Sequence, residues 1–145
     1  MVRLALSVLA LTAATSALAQ NYDGTWRMTG TAMPKDASGT AKLSGGRATI
    51  SLAGKQNGKP ITMTAIGRYV VSGKKLTFTF TDAKVDSPAF TPAQRKQMQS
   101  SQVRAQIKQQ VTRQSTTGTV RWLGKNKFVL TEKDGKQTTF TRTSR

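Results

Sequence analysis

The chain has 145 residues, with 23 Lys and Arg against 6 Asp and Glu and neither His nor Cys, for a formal net charge of +17. That length fits one domain. The missing residue types exclude a Ser-His-Asp triad, a Cys-His nucleophile pair, zinc or haem ligation through His or Cys, and any disulfide framework.

Residues 1–19 open with the short basic start Met1-Val2-Arg3. An apolar run follows from Leu4 to about Ala14, and the segment ends Ala17-Leu18-Ala19 before Gln20. This is the pattern of a secretory signal with an A-x-A cleavage site. The apolar run is well short of the roughly 20 residues needed to span a bilayer. No Cys follows to carry a lipid, so the expected product is a soluble periplasmic or extracellular domain, residues 20–145. Removing Arg3 with the signal leaves 126 residues with 22 basic and 6 acidic side chains, or +16.

A unit of Gly, five residues and Gly, followed by an alternating strand, occurs three times: Gly39 to Gly45 before Arg47–Leu52, Gly67 to Gly73 before Leu76–Thr81, and Gly118 to Gly124 before Lys127–Thr131. Each copy reads as a strand, a Gly turn and a returning strand. The period of two places Ala48, Ile50 and Leu52 on one face. Ile61, Met63 and Ala65 share a face likewise, as do Leu76, Phe78 and Phe80, then Val120 and Trp122, then Phe128 and Leu130, with Thr, Ser, Lys and Arg between them. Further turn signals stand at Asn57-Gly58, Ser72-Gly73-Lys74 and Lys133-Asp134-Gly135. The pattern predicts a mainly β chain, an antiparallel up-and-down meander barrel of about eight or nine strands. Its outward Thr and Lys exclude an outer-membrane barrel, whose outer face must be apolar.

One α-helix is expected inside the meander, from Thr91 to about Arg113. Thr91-Pro92-Ala93-Gln94 combines an N-cap, a Pro in the first turn and a capping-box Gln. Val103, Ile107 and Val111 form a narrow apolar stripe in its second half, so the helix should lie against the barrel by one edge or project from it, the plainer role being a lid or plug over the open end.

The start Tyr22-Asp23-Gly24-Thr25-Trp26 and the end Thr139-Phe140-Thr141-Arg142 resemble bacterial secreted lipocalin-like domains, relatives of the calycin barrels. Gly67-Arg68-Tyr69 and Leu76-Thr77-Phe78-Thr79 resemble their middle strands. The resemblance implies that Gly24, Trp26 and Arg142 close the barrel bottom, the guanidinium of the last strand covering the indole of the first. Such a pair gains cation-π attraction of roughly 0.5–2 kcal/mol, which is a structural role. The helix precedes the last three strands, where a lipocalin carries its helix after the last barrel strand.

The acids are too sparse for the oxygen cage of a calcium ion. Asp82 and Asp86 read as a solvated strand terminus, and Glu132 and Asp134 as part of a hairpin turn. Neither catalysis, a cofactor nor a metal is expected. Charge is the strongest remaining signal: between Ser87 and Thr131 there is no acid, and the bases are Arg95, Lys96, Arg104, Lys108, Arg113, Arg121, Lys125 and Lys127. A helix of about 22 residues, roughly 33 Å, would carry five of them.

The leading expectation is a non-enzymatic secreted or envelope-associated binding protein with a basic surface. Its partner would be a polyanion, either an anionic envelope polymer or extracellular nucleic acid bound without sequence preference. The alternatives are a carrier of a small apolar ligand among Tyr69, Phe78, Phe80, Trp122, Phe128 and Leu130, and a protein-interaction module docking through the helix. An interior cavity of a few hundred cubic ångströms would favour the carrier.

Overall fold

Side chains that alternate apolar and polar need a sheet with one dry face, and a closed barrel provides it for every strand at once. The computed structural model describes residues 21–33 and 35–144. The export signal read at residues 1–19 lies outside them. In chain order the elements are β1(Gly24–Thr29), β2(Ser38–Ser44), β3(Arg47–Gln56), β4(Lys59–Ser72), β5(Lys75–Asp86), α1(Pro92–Met98), α2(Ser101–Thr112), β6(Ser115–Trp122), β7(Lys127–Glu132) and β8(Gln137–Ser144). Each strand pairs antiparallel with the next, and β8 returns to β1 through Trp26↔Arg142 and Met28↔Phe140 to close an eight-stranded barrel. Among the described residues no helix is long and apolar enough to cross a membrane.

The three Gly-x5-Gly units are the hairpins β2–β3, β4–β5 and β6–β7, and all three turn at the same end of the barrel. At Gly45-Gly46 both φ angles are positive, 56° and 83°, as a two-residue turn matched to strand twist requires. That end, with the start of β1 and the end of β8, is closed by aromatic packing. The other end carries residues 30–33 and 35–37, the Asn57-Gly58 turn, the two helices and the 133–136 turn, and it is open.

The inserted helical segment is two helices, a correction to the single rod of about 22 residues. Thr91 caps α1 in a capping box, its hydroxyl accepting from the Gln94 N–H at 3.1 Å while Gln94 Oε1 accepts from the Thr91 N–H at 2.9 Å. The chain then stops at Gln99, and Ser100 begins a second helix by accepting from the Val103 N–H at 3.4 Å. A serine hydroxyl that competes for a nearby backbone N–H ends one helix and starts another. Ser100-Ser101 was the signal for this break in the sequence.

Strand β5 runs to Asp86, five residues past the Thr81 end expected of it, and pairs with β6 only over Lys75–Thr79. Its upper part, with the matching part of β4, rises beyond the rim. Met63, expected on the buried face, is accordingly 37% exposed there. Helix α2 takes the place of the missing strand partner, setting Val111 and Ile107 against Ala65, Ala83 and Phe80. The helix therefore touches the barrel by one edge, and α1 has no buried residue.

The core is continuous from the closed end upward, with Trp26, Phe78, Phe128, Phe140, Leu43 and Leu76 its largest fully buried side chains. Arg142 Cζ lies 4.3 Å from the centroid of the Trp26 ring. Its guanidinium donates to the carbonyls of Asp23, Asn21 (2.6 Å) and Lys125 (3.3 Å). Gly24 sits beneath it with φ 137°, and a Cβ there would lie 2.7 Å from the Ser144 carbonyl oxygen and 3.2 Å from Arg142 Nη1. Trp26→Ala should cost about 3–5 kcal/mol and Arg142→Ala about 1–3 kcal/mol. Because the two side chains touch, the double variant should fall short of the sum by roughly 0.5–2 kcal/mol in urea unfolding. Full additivity would show that the contact carries no energy.

Candidate functional site

The inward side chains fall into two layers. At the closed end Tyr22, Trp26, Trp122 and Phe128 meet edge to face, with centroids 4.8 Å apart for Trp26 and Phe128 and 5.0 Å for Tyr22 and Trp122. Such tilted contacts suit the ring quadrupole. The Trp26 indole N–H is satisfied by the Tyr22 carbonyl at 2.9 Å. Phe140 stacks on Phe128 at 4.5 Å and, with Phe78, forms the boundary of this plug.

Above it lies a cavity of about 330 Å³. Met28, Ile50, Leu130 and Phe140 form its lower wall, and Met33, Leu52, Met63, Phe80 and Val111 its upper wall and rim. Helix α2 stands at its mouth. The volume lies at the small end of the 300–1,000 Å³ typical of small-molecule sites, and the mostly apolar lining with few polar groups is the usual composition. Thr138, at 6% exposure, and half-buried Thr116 and Glu132 add polar atoms, and Gln114 does so at the rim.

Of the six residues expected to hold an apolar ligand, Phe78, Phe80 and Leu130 line this cavity, whereas Tyr69, Trp122 and Phe128 belong to the closed-end layer. Strand position separates the two groups: each of the latter is within a few residues of a closed-end turn. Period-two counting could have added Met28, two residues after Trp26, and Glu132, two after Leu130. It could not have found Val111 or Met33, which reach the mouth from a helix and a loop.

The eight basic residues are not brought together. Arg95, Lys96, Arg104, Lys108 and Arg113 stand at the open end, and Arg121, Lys125 and Lys127 surround the β6–β7 turn at the closed end. The eight residues of β6 lie between them, roughly 25 Å of strand. Nor is the helical group free of acids. Arg104 Nη2 meets Asp82 Oδ2 at 2.9 Å and Arg95 Nε meets Asp86 Oδ1 at 3.4 Å. The acid-free stretch of sequence is thus supplied with carboxylates from β5, so Asp82 and Asp86 are partners of helical guanidiniums rather than a bare strand terminus. A second hollow of about 350 Å³ between β5 and the helices is lined by Arg95, Arg104 and Asp86 among others; Arg95 is paired with Asp86 and Arg104 with Asp82.

Burial pushes the Tyr22 hydroxyl above its ordinary pKa. Tyr69 is raised first by burial and then by the hydrogen bond it donates to Asp23 Oδ1 at 2.9 Å, a carboxylate that resists a second negative charge beside it. A raised pKa means the folded state favours neutral tyrosine. Its stabilising contribution is complete below the ordinary value of 10.0 and is lost as the pH climbs through the raised values. Among the described residues, no group of three or more acidic side chains is placed to hold a metal ion.

No family model matches the chain, and no curated protein matches it. Among solved structures, the crystal structure of an uncharacterized protein from Bacteroides eggerthii DSM 20697 is similar over 84% of this chain and 99% of that one, with 12% identity and a TM-score of 0.43.

Two outcomes are expected. Spectrophotometric titration should find both tyrosines ionising above 10.0 in the folded protein, with loss of stability setting in over the same alkaline range; a tyrosinate band at or below the ordinary value would contradict the buried closed end. Val111→Asp should place an unmatched carboxylate at the cavity mouth and release the helices. Amide exchange should then accelerate at least about tenfold across α2 while the β1–β8 ladder stays protected.

Proposed function

We propose that the chain is a non-enzymatic binding protein that carries a small, largely apolar molecule in the open half of its barrel. The observation that carries this reading is the cavity of about 330 Å³ above a solid aromatic floor. A barrel of eight strands has an interior just wide enough for its own side chains to fill, and here they fill only one end. The other end is left lined by Met, Leu, Ile and Phe, and an apolar hollow of this size gains by taking up an apolar guest. The lipocalin-like motifs at Gly24, Trp26 and Arg142 support the same role, as does the export signal read at residues 1–19, which would place the carrier in the periplasm or outside the cell.

The basic surface is the weaker ground for a function. Its charges are divided between the two ends and two of the helical guanidiniums are paired, so polyanion binding through the helices would rest on net charge more than on a built surface. That charge is well suited to keeping the protein monodisperse.

A small neutral naphthalene dye should bind at one per chain with enhanced emission. Leu52→Trp, which adds volume at a half-buried lining position, should weaken it about tenfold or more, while Lys127→Gln on the outer face of β7 should leave it unchanged. A folded wild-type protein, with its near-ultraviolet aromatic signal intact, that takes up no dye would overturn the carrier reading.

A further inference from the structure

Among the described residues that line the cavity, one side chain is ionisable, and it is acidic. Glu132 ends β7, two residues after Leu130 on the same inward face, and is half-buried against the cavity. Its backbone is committed to the 133–136 turn, the N–H donating to the Lys136 carbonyl at 2.9 Å and its own carbonyl accepting from the Gly135 N–H at 3.0 Å. Its carboxylate forms no ion pair and no side-chain hydrogen bond among the described residues. This is notable in a chain with nearly four bases for every acid. Asp82, Asp86 and Asp134 are each paired to a base, Asp23 accepts from Tyr69, and Asp36, also without an ion pair among the described residues, stands exposed to solvent. No base lines the cavity among the described residues: Lys133 and Lys136, beside Glu132 in the chain, are exposed on the turn, Lys136 with Asp134, and Arg113 is exposed at the end of α2.

We infer that the ligand is an amphiphilic amine: an apolar body in the cavity with a protonated nitrogen at the Glu132 carboxylate. This rests on the carrier reading and specifies the chemistry of its ligand. A carboxylate at an apolar wall favours a cationic donor, because such a charge-assisted bond is about twice as strong as a neutral one and the surrounding low dielectric strengthens it further. Thr116 and Thr138, with Gln114 at the rim, offer hydroxyl and amide groups for the remaining N–H bonds. An anionic headgroup, such as that of a fatty acid, would find no base among the described lining residues and would face Glu132. The positive surface repels a cation at long range, but at physiological salt that field is screened within about 8 Å, whereas the Glu132 contact is direct.

Three probes that share one body and differ in the head group test this on the full chain: 4-phenylbutylamine, 4-phenylbutanol and 4-phenylbutyrate, each titrated calorimetrically near neutral pH. The amine should bind about tenfold more tightly than the alcohol, and the acid most weakly. Glu132→Gln, which keeps the shape and removes the charge, should bring the amine to the level of the alcohol while changing the alcohol less than about twofold. Asp134→Asn in the adjoining turn should alter neither. An alcohol that binds as tightly as the amine, or an amine preference that survives Glu132→Gln, would overturn the head-group assignment and leave the carrier standing. Failure of all three probes to bind a folded protein would overturn both.

Discussion

Everything above the closed end is built on the contact between the first strand and the last. Arg142 occupies an inward position of β8, where a charge has no place unless its donors are used, and it uses them on the carbonyls of Asn21, Asp23 and Lys125 while its flat face covers Trp26. One side chain thus joins the segment before β1, the β6–β7 turn and the last strand. Arginine suits this position better than lysine, because a planar fork can stack and donate in several directions at once. With the bottom sealed, the rings of Trp122 and Phe128 pack against Trp26, and Tyr22 packs against both of them, as a floor below the cavity.

The two ends of the barrel therefore differ in what their residues can do. At the closed end large rings meet one another and exclude water. At the open end Met, Leu and Ile side chains from strands meet only Val111 from a helix and Met33 from a loop, and a hollow remains. Methionine is the most adaptable of the apolar side chains, and three of them line this hollow, Met28, Met33 and Met63. Such a wall can follow the shape of a guest without a large rearrangement of strands.

The helical segment is attached lightly for its length. Among the described residues it adds Val111 and Ile107 to a buried apolar cluster, and the two ion pairs to β5 are partly exposed, where such pairs contribute little net stability. An element held this way opens at lower cost than the barrel beneath it, and Val111, which it sets at the cavity mouth, would move with it. The contrast between a strongly basic exterior and a cavity with a single acid has the same origin. Outward strand positions take whatever keeps the chain dissolved, while inward positions are chosen by what they touch.

Period-two alternation, three Gly turns and a capping box were enough to establish an antiparallel meander with a helical insertion, because these features depend on residues close together in the chain. The same local rules identified Phe78, Phe80 and Leu130 as inward-facing, and the flanking motifs indicated the Trp26 and Arg142 positions. Height within the barrel was not legible. Whether an inward ring seals the floor, as Trp122 and Phe128 do, or lines a hollow, as Phe80 does, depends on register across strands far apart in sequence. The break at Ser100 was present as a local signal that the uninterrupted absence of Gly and Pro concealed. The pairing of Arg95 and Arg104 with Asp86 and Asp82 and the turning of Glu132 toward an apolar cavity were decided by tertiary structure alone. A charge acquires its partner through space, and only the closing of β8 onto β1, with α2 laid across β5, determines which groups share that space.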